Sequence, residues 1–269
     1  HLQGQALYFL ARYSDCLTLL RLDDSRELLM HAEALRALGR LQELHELLPT
    51  LKEVLGNDAP EVLLIEARED LRSKNYEAAI VRFRHVLQRQ PLETEALFGL
   101  GQALGRMGKK EQALSVLEHH RQLLPLLDAL DFAQRGVQLA PRRASNLAHL
   151  GDAWSALVLH DPGANTQARQ AYVEAQRFAS AKEMVPILLR WARHVASMEG
   201  DLSAACQILR NALKSSADPR LRVRLADYLS DMGKQDEALE QLKLVLRQRP
   251  GDSAVLERIR QLGQEQEGK

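Results

Sequence analysis

The chain has 269 residues, with 36 Lys plus Arg against 36 Asp plus Glu, and only 4% of its residues are aromatic. Zero net charge disfavours a sequence-independent grip on nucleic acid, which needs many cations to displace counterions, and no run of about 18 apolar residues is present to span a membrane. Leu, Ala, Arg, Glu and Gln fill most of the chain, a composition that suits helices and leaves β-strands without their usual residues. Cys16 and Cys206 are too few for a disulfide framework, and each falls at an inward helical position, so both are expected to be buried thiols. The sequence opens on His1-Leu2-Gln3-Gly4, already inside a helix pattern, and reads as a fragment cut from a longer protein. Cytoplasm and periplasm both stay open as compartments, and the Ala-, Leu- and Arg-rich style looks bacterial.

Taken in order, a clipped first unit has a helix ending near Gly4 and Leu7, then a second opening at Tyr13 and continuing to about Asp24 with Leu20 inward. From Ser25, Leu28, Ala32 and Leu35 mark one helix and Gly39 a turn, while Leu44, Leu48 and Leu51 mark a second helix that Pro49 should kink or shorten. Pro60 suits a first helical turn; Leu63 and Ala67 face inward, and Asn75 to Ala79 leads on to Phe83 and Pro91. The most regular stretch follows. Leu97, Leu100, Gly101 and Leu104 share one helical face, Gly108 breaks the run, and Ala113, Leu117 and His120 line a second helix that Pro125 should stop.

Pro141 arrives only 16 residues after Pro125, so the register fails there. Asp128 to Ala140 reads as a lone second helix, and about 18 more residues would restore a spacing of about 34, which suggests a segment missing near Leu124 to Asp128. Ala144 restarts the pattern with Leu147, Leu150, Gly151 and Trp154, then an enlarged turn from His160 to Asn165, then Ala168, Tyr172 and Ala175. Further units begin near Pro186 and Pro219, the latter carrying Leu225, Ala226, Leu229, Gly233, Ala238, Leu242 and Val245. Asp252 caps a last helix from Ser253 to about Leu262, whose Val255, Leu256 and Ile259 would cover the end of the stack; Gln264 to Lys269 is a polar tail with nothing to bury.

The run Leu97-x2-Leu100-Gly101-x2-Leu104, turn glycine, Ala113-x3-Leu117 and closing proline resembles the tetratricopeptide repeat, a helix-turn-helix unit of about 34 residues. Nearly the whole chain carries the resemblance, with Leu where the family often has Trp or Tyr. It implies an all-α, right-handed superhelix of stacked antiparallel helix pairs, a tetratricopeptide-like α-solenoid. The expected organisation is N-terminal repeats over 1–127 with the first clipped, a half repeat or phase break over 128–143, C-terminal repeats over 144–252, and a capping helix with polar tail over 253–269.

By the same resemblance, the concave wall is lined from the second, fifth, ninth, twelfth and thirteenth positions of each unit. These are Arg26, Leu29, Glu33 and Arg36; Leu64, Arg68 and Arg72; Phe98, Gln102 and Arg106; Ala148 and Asp152; Arg190 and Arg193; and Arg220, Val223 and Asp227. The partner-binding candidates chosen from them are Leu29, Arg36, Leu64, Arg68, Arg72, Phe98, Gln102, Arg106, Arg190 and Arg193. An apolar row of Leu29, Leu64 and Phe98 beside arginines suits an acidic segment with apolar anchors; the bland reading is that the arginines pair with their own Glu and Asp neighbours. The Lys and Asn set with which some adaptors of the family clamp a terminal carboxylate is not carried over, because no Asn stands at a ninth position.

No HExxH, Cys-x2-Cys, phosphate loop or G-x-S-x-G elbow is present. His119 and His120 point different ways, the His149 and Asp152 pair suits a local hydrogen bond, and Trp154 and Trp191 suit core packing. No catalytic residue, cofactor or metal is assigned. The expected function is a non-enzymatic protein–protein interaction scaffold or adaptor that takes a partner segment in its groove. The rivals are a targeting or substrate-presenting arm of an enzyme or protease complex, an RNA-binding helical repeat, and self-association, with the oligomeric state left open.

Overall fold

A computed structural model describes residues Leu2–Glu267, and all regular structure among them is helical. The helices are α1 (Leu2–Phe9), α2 (Tyr13–Cys16), α3 (Ser25–Ala37), α4 (Leu41–Leu55), α5 (Pro60–Arg72), α6 (Tyr76–Arg89), α7 (Thr94–Arg106) and α8 (Lys110–Leu139). They continue as α9 (Ala144–Leu157), α10 (Ala164–Phe178), α11 (Ala181–Met198), α12 (Leu202–Leu213), α13 (Pro219–Asp231), α14 (Gln235–Gln248) and α15 (Ser253–Glu267). Two compact units result, one up to Gln122 and the other from Leu123, with the division inside α8. Each is a tetratricopeptide-like stack of helix pairs.

Three pieces of local chemistry set the pairs. Caps start many first helices: Asp24 accepts from the Arg26 and Glu27 amides, Asp218 from the Arg220 amide, and Ser180 forms a reciprocal capping box with Glu183. Left-handed residues end them, with Gly39, Gly108 and Gly233 at φ of 70°, 76° and 76°. The following amide then reaches back to the third-last residue of the helix, as Arg40 N does to Leu35 O at 2.9 Å and Lys234 N to Leu229 O at 2.8 Å. In the third pair the same position is held by Lys74 at φ 64°, with Asn75 N on Asp70 O at 2.8 Å.

Small residues at the crossing let the helices close. The eighth residue of α3, α5, α7, α9 and α13 is Ala32, Ala67, Gly101, Gly151 and Ala226, all buried. The fourth residue of α6, α8, α12 and α14 is Ala79, Ala113, Ala205 and Ala238, each no more than 6% exposed. Larger apolar side chains fill the space between. Leu28, Leu35, Leu44 and Leu51 form one core of the first unit, and Leu63, Phe83, Val86 and Leu104 another. In the second unit Leu209, Leu221, Leu225, Leu242 and Val245 form the main core, and Ala144, Leu147, Ala175 and Ile187 a smaller one. Each fully buried Leu contributes about 1.5–3 kcal/mol, which makes helices of this length stable only in the stack. First helices also touch the next first helix, α5 to α7 in one unit and α9 to α11 to α13 in the other, so each unit presents a wall of first helices.

Several sequence expectations are corrected. α2 ends at Cys16 rather than near Asp24; the segment that follows is tied to α3 instead, where buried Glu27 accepts from Arg21 N at 2.8 Å and from Gln5 Nε2 at 2.7 Å. Pro49 does not shorten α4, which runs 15 residues. Pro125 does not stop α8, which continues for 30 residues as one helix through Asp128 to Leu139. The proline removes one donor, but Leu126, Leu127 and Asp128 supply no turn to divert the chain. α11 starts at Ala181 on the Ser180 cap, so Pro186 lies inside it. The enlarged turn after α9 is shorter than expected, since Ala164 and Asn165 already belong to α10. α15 extends beyond Leu262 to Glu267, and the last two residues of the polar tail lie outside the described residues.

Candidate functional site

In the first unit the apolar row reduces to one projecting ring. Leu29 and Leu64 are half-buried against the Leu28 and Leu63 cores, whereas Phe98 on α7 is 45% exposed, its ring 5.6 Å from that of His120 on α8. Phe98, Gln102 and Arg106 follow one another at four-residue spacing, so they make a single stripe along α7. All three are exposed.

The arginines of this wall divide into two kinds. Arg68 pairs with Glu95 of α7, Arg36 reaches the same carboxylate at 3.9 Å, and Arg72 holds Glu69 at 2.8 Å. Burial pushes the Arg68 guanidinium below its ordinary pKa in spite of Glu95. These three are engaged within the chain, with Arg36 and Arg68 sharing one carboxylate. Arg106 and Gln102 have neither an ion pair nor a side-chain hydrogen bond among the described residues.

Two pockets border this wall. The smaller, about 450 Å³, lies between Arg36, Arg68 and Arg72 over Leu44, Leu48 and Ile65. The larger, about 1210 Å³, is rimmed by Arg72, Lys74, Gln102 and Arg106 over a floor of Gly101, Ala113 and Leu117, and no carboxylate lines it. Cations, an amide and an apolar floor without acids make a place where a foreign carboxylate meets no repulsion.

The second unit is wired differently. On α9, Asp152 accepts from Tyr172 Oη at 2.7 Å and pairs with Arg190 of α11 at 3.0 Å, so it is engaged with these two rather than with His149. Tyr172 is buried, and burial together with this carboxylate pushes its phenol pKa up. One turn along α11 from Arg190, His194 is 2% exposed and bonds Ser155 Oγ through Nδ1 and Asn165 Oδ1 through Nε2, each at 2.8 Å. Burial lowers its pKa, with Glu199 opposing. Sequence reading missed this network, and the one signal for it was a polar His on the inward face of α11. Exposed Arg193 has no ion pair among the described residues, and Ala148 is buried in a core rather than lining the wall.

Reactive groups elsewhere are quiet. Cys16 and Cys206 are buried free thiols, with burial raising the pKa of both. Trp191 packs half-buried on the α11–α15 core, and Trp154 is also half-buried. Among the described residues, no group of three or more His, Cys, Asp or Glu side chains is placed to hold a metal, and no helix is long and apolar enough to cross a membrane.

No family model matches the chain. It is 24% identical over 242 residues to mouse (Mus musculus) anaphase-promoting complex subunit 7, covering 85% of this chain and 42% of that protein. The chain thus spans less than half the length of this curated relative. Among solved structures, a thermophilic TPR protein of Thermus thermophilus matches at a TM-score of 0.44 and 24% identity over 76% of this chain and 98% of that one. The Cut9-Hcn1 hetero-tetramer of the APC/C matches at a TM-score of 0.41 and 15% identity, over 97% of this chain and 54% of that one.

Proposed function

We propose that the chain is a non-enzymatic scaffold whose first-unit groove docks a segment of a partner protein bearing an apolar anchor and a nearby carboxylate. The observation that carries this reading is the α7 stripe, in which an unengaged Gln102 and an unpaired Arg106 line a pocket with no acid in its lining, and an exposed Phe98 stands one turn before Gln102 on the same face. An aromatic platform two helical turns from a free guanidinium fork, about 12 Å along the helix, recognises an apolar side chain and a carboxylate at that separation. Gly101, Ala113 and Leu117 serve as floor, and Arg72 adds charge at the rim. Arg36 and Arg68, joined through Glu95, hold the wall of first helices in register. The naming of the mouse relative as a subunit of a larger complex agrees with a chain that works by assembling with other proteins.

The test is selection from a peptide library followed by titration. Peptides enriched on the wild-type chain should combine Leu or Phe with Asp or Glu, and Phe98→Ala with Arg106→Glu should weaken them at least about tenfold, or 1.4 kcal/mol. Unchanged affinity in the double variant would remove the α7 stripe as the docking site.

A further inference from the structure

The second unit holds a separate pocket of about 890 Å³ between α11, α13, α14 and α15, and all its basic residues are arginine. Arg193, Arg220, Arg224, Arg249 and Arg258 line it, together with Asp227 and Asp252. Each nearby carboxylate is already shared or engaged. Asp218 pairs with Arg220 at 2.7 Å and feels the field of Arg249; Asp227 pairs with Arg258 at 3.1 Å and Arg224 at 3.5 Å. Asp252 caps α15, accepting from the Val255 amide at 3.3 Å. Arg193 has no carboxylate partner among the described residues. Five guanidinium cations therefore face three carboxylates, which leaves a surplus of two positive charges within one cavity. Asp231 stands on the far side of Asp227, lining the adjoining pocket.

Burial raises the pKa of Asp227 even though two guanidinium groups oppose it, whereas Arg193, Arg220 and Arg249 are exposed and Arg224 and Arg258 partly so, which leaves their forks open to an incoming anion. Leu189, Val223 and Val255 give the cavity an apolar side. A single carboxylate would neutralise only half the surplus, whereas a phosphoryl group carries about −1.5 to −2 at neutral pH and presents three acceptor oxygens to planar guanidinium forks. We propose that this arginine pocket binds a phosphorylated serine or threonine side chain of a partner protein segment, with an adjacent apolar residue resting on Val223 and Leu189. The proposal does not depend on the first-unit groove: it uses different residues in the other unit, and either can fail alone.

The probe is a peptide library with a fixed central phosphoserine and degenerate flanks, read by fluorescence polarisation against the whole chain. Matched libraries carry serine or glutamate at the centre. The phosphoserine library should bind at least about tenfold more tightly than either, with apolar residues enriched beside the phosphate, and binding should fall by at least about tenfold in Arg193→Glu. Arg249→Glu, at an exposed position, should give a similar loss. Inorganic phosphate should compete only weakly, since it lacks the apolar contact. Equal binding of the glutamate library, undiminished binding by both variants, or phosphate competing as well as the peptide would each overturn the proposal. The Phe98→Ala, Arg106→Glu chain should bind the phosphoserine library normally, which separates failure of this site from failure of the groove.

Discussion

The two units use one device in their walls and different chemistry around it. In each, an arginine crosses to an acid on a neighbouring wall helix: Arg68 of α5 forward to Glu95 of α7 in the first unit, and Arg190 of α11 back to Asp152 of α9 and Arg258 of α15 back to Asp227 of α13 in the second. These pairs fix the spacing of neighbouring repeats, so an arginine in the wall is by itself no sign of a binding site. What differs is the remainder. The first unit leaves Arg106 free on the same α7 face as the exposed ring of Phe98, two turns away, whereas the second leaves an arginine surplus around a pocket and buries its aromatic Tyr172 under Gly151. Uncompensated charge and exposed aromatic surface, rather than arginine count, distinguish a surface that recognises something else.

The sharpest break of the comparison is at the equivalent glycines. A Cβ on Gly151 would lie 2.8 Å from the Tyr172 ring, which is held at its far end by Asp152, while one on Gly101 would lie 2.6 Å from the flexible end of Leu117. Gly151→Ala should cost about 2–3 kcal/mol and Gly101→Ala under about 1 kcal/mol, since a rigid, bonded ring cannot yield as a leucine methyl can. Equal losses in chemical denaturation would contradict the difference drawn between the units.

A smaller effect should appear with pH. His194 is held neutral by burial, below its ordinary pKa of 6.5. Protonation therefore favours the unfolded chain, so its contribution is fully present above about pH 6.5 and is lost as pH falls below that value toward the folded pKa. His194→Gln keeps a donor and an acceptor near Ser155 and Asn165 but does not titrate. Between about pH 7.5 and 5.5, Tm should fall more in the wild type than in this variant, and parallel profiles would contradict the assignment.

The smallest expected change is a gain. Lys74 occupies the left-handed position that glycine holds at Gly39 and Gly108. Lys74→Gly should stabilise the first unit by about 0.5–1 kcal/mol, since the strain relieved slightly exceeds the added chain entropy. A loss of stability would show that the lysine side chain compensates for its backbone.

Most of the fold was legible because its signals are local and repeated: small residues at the crossing, a left-handed turn after most first helices, and leucines at helical spacing. Several of the errors came from prolines: Pro125 and Pro186 lie within helices they were expected to end or begin, and Pro49 does not shorten α4, because a proline ends a helix only where the following residues can turn the chain. At the site, the family's wall positions located Phe98, Gln102 and Arg106, which need only helical spacing to form a stripe. They did not reveal which arginines were engaged, since Glu95 meets Arg68 across a repeat, and Asp152 meets Arg190 38 residues away. Nor did they separate Leu29 and Leu64, which sink into the core, from Phe98, which does not.

The most direct test of the central claim is hydrogen–deuterium exchange on the wild-type chain with a selected apolar-acidic peptide bound. Slowed exchange over α7, from Phe98 to Arg106, and over the facing turn at Lys74 is the predicted result. Protection confined to the second unit, or to α4 and α6 with α7 unchanged, would contradict the first-unit groove as the docking surface.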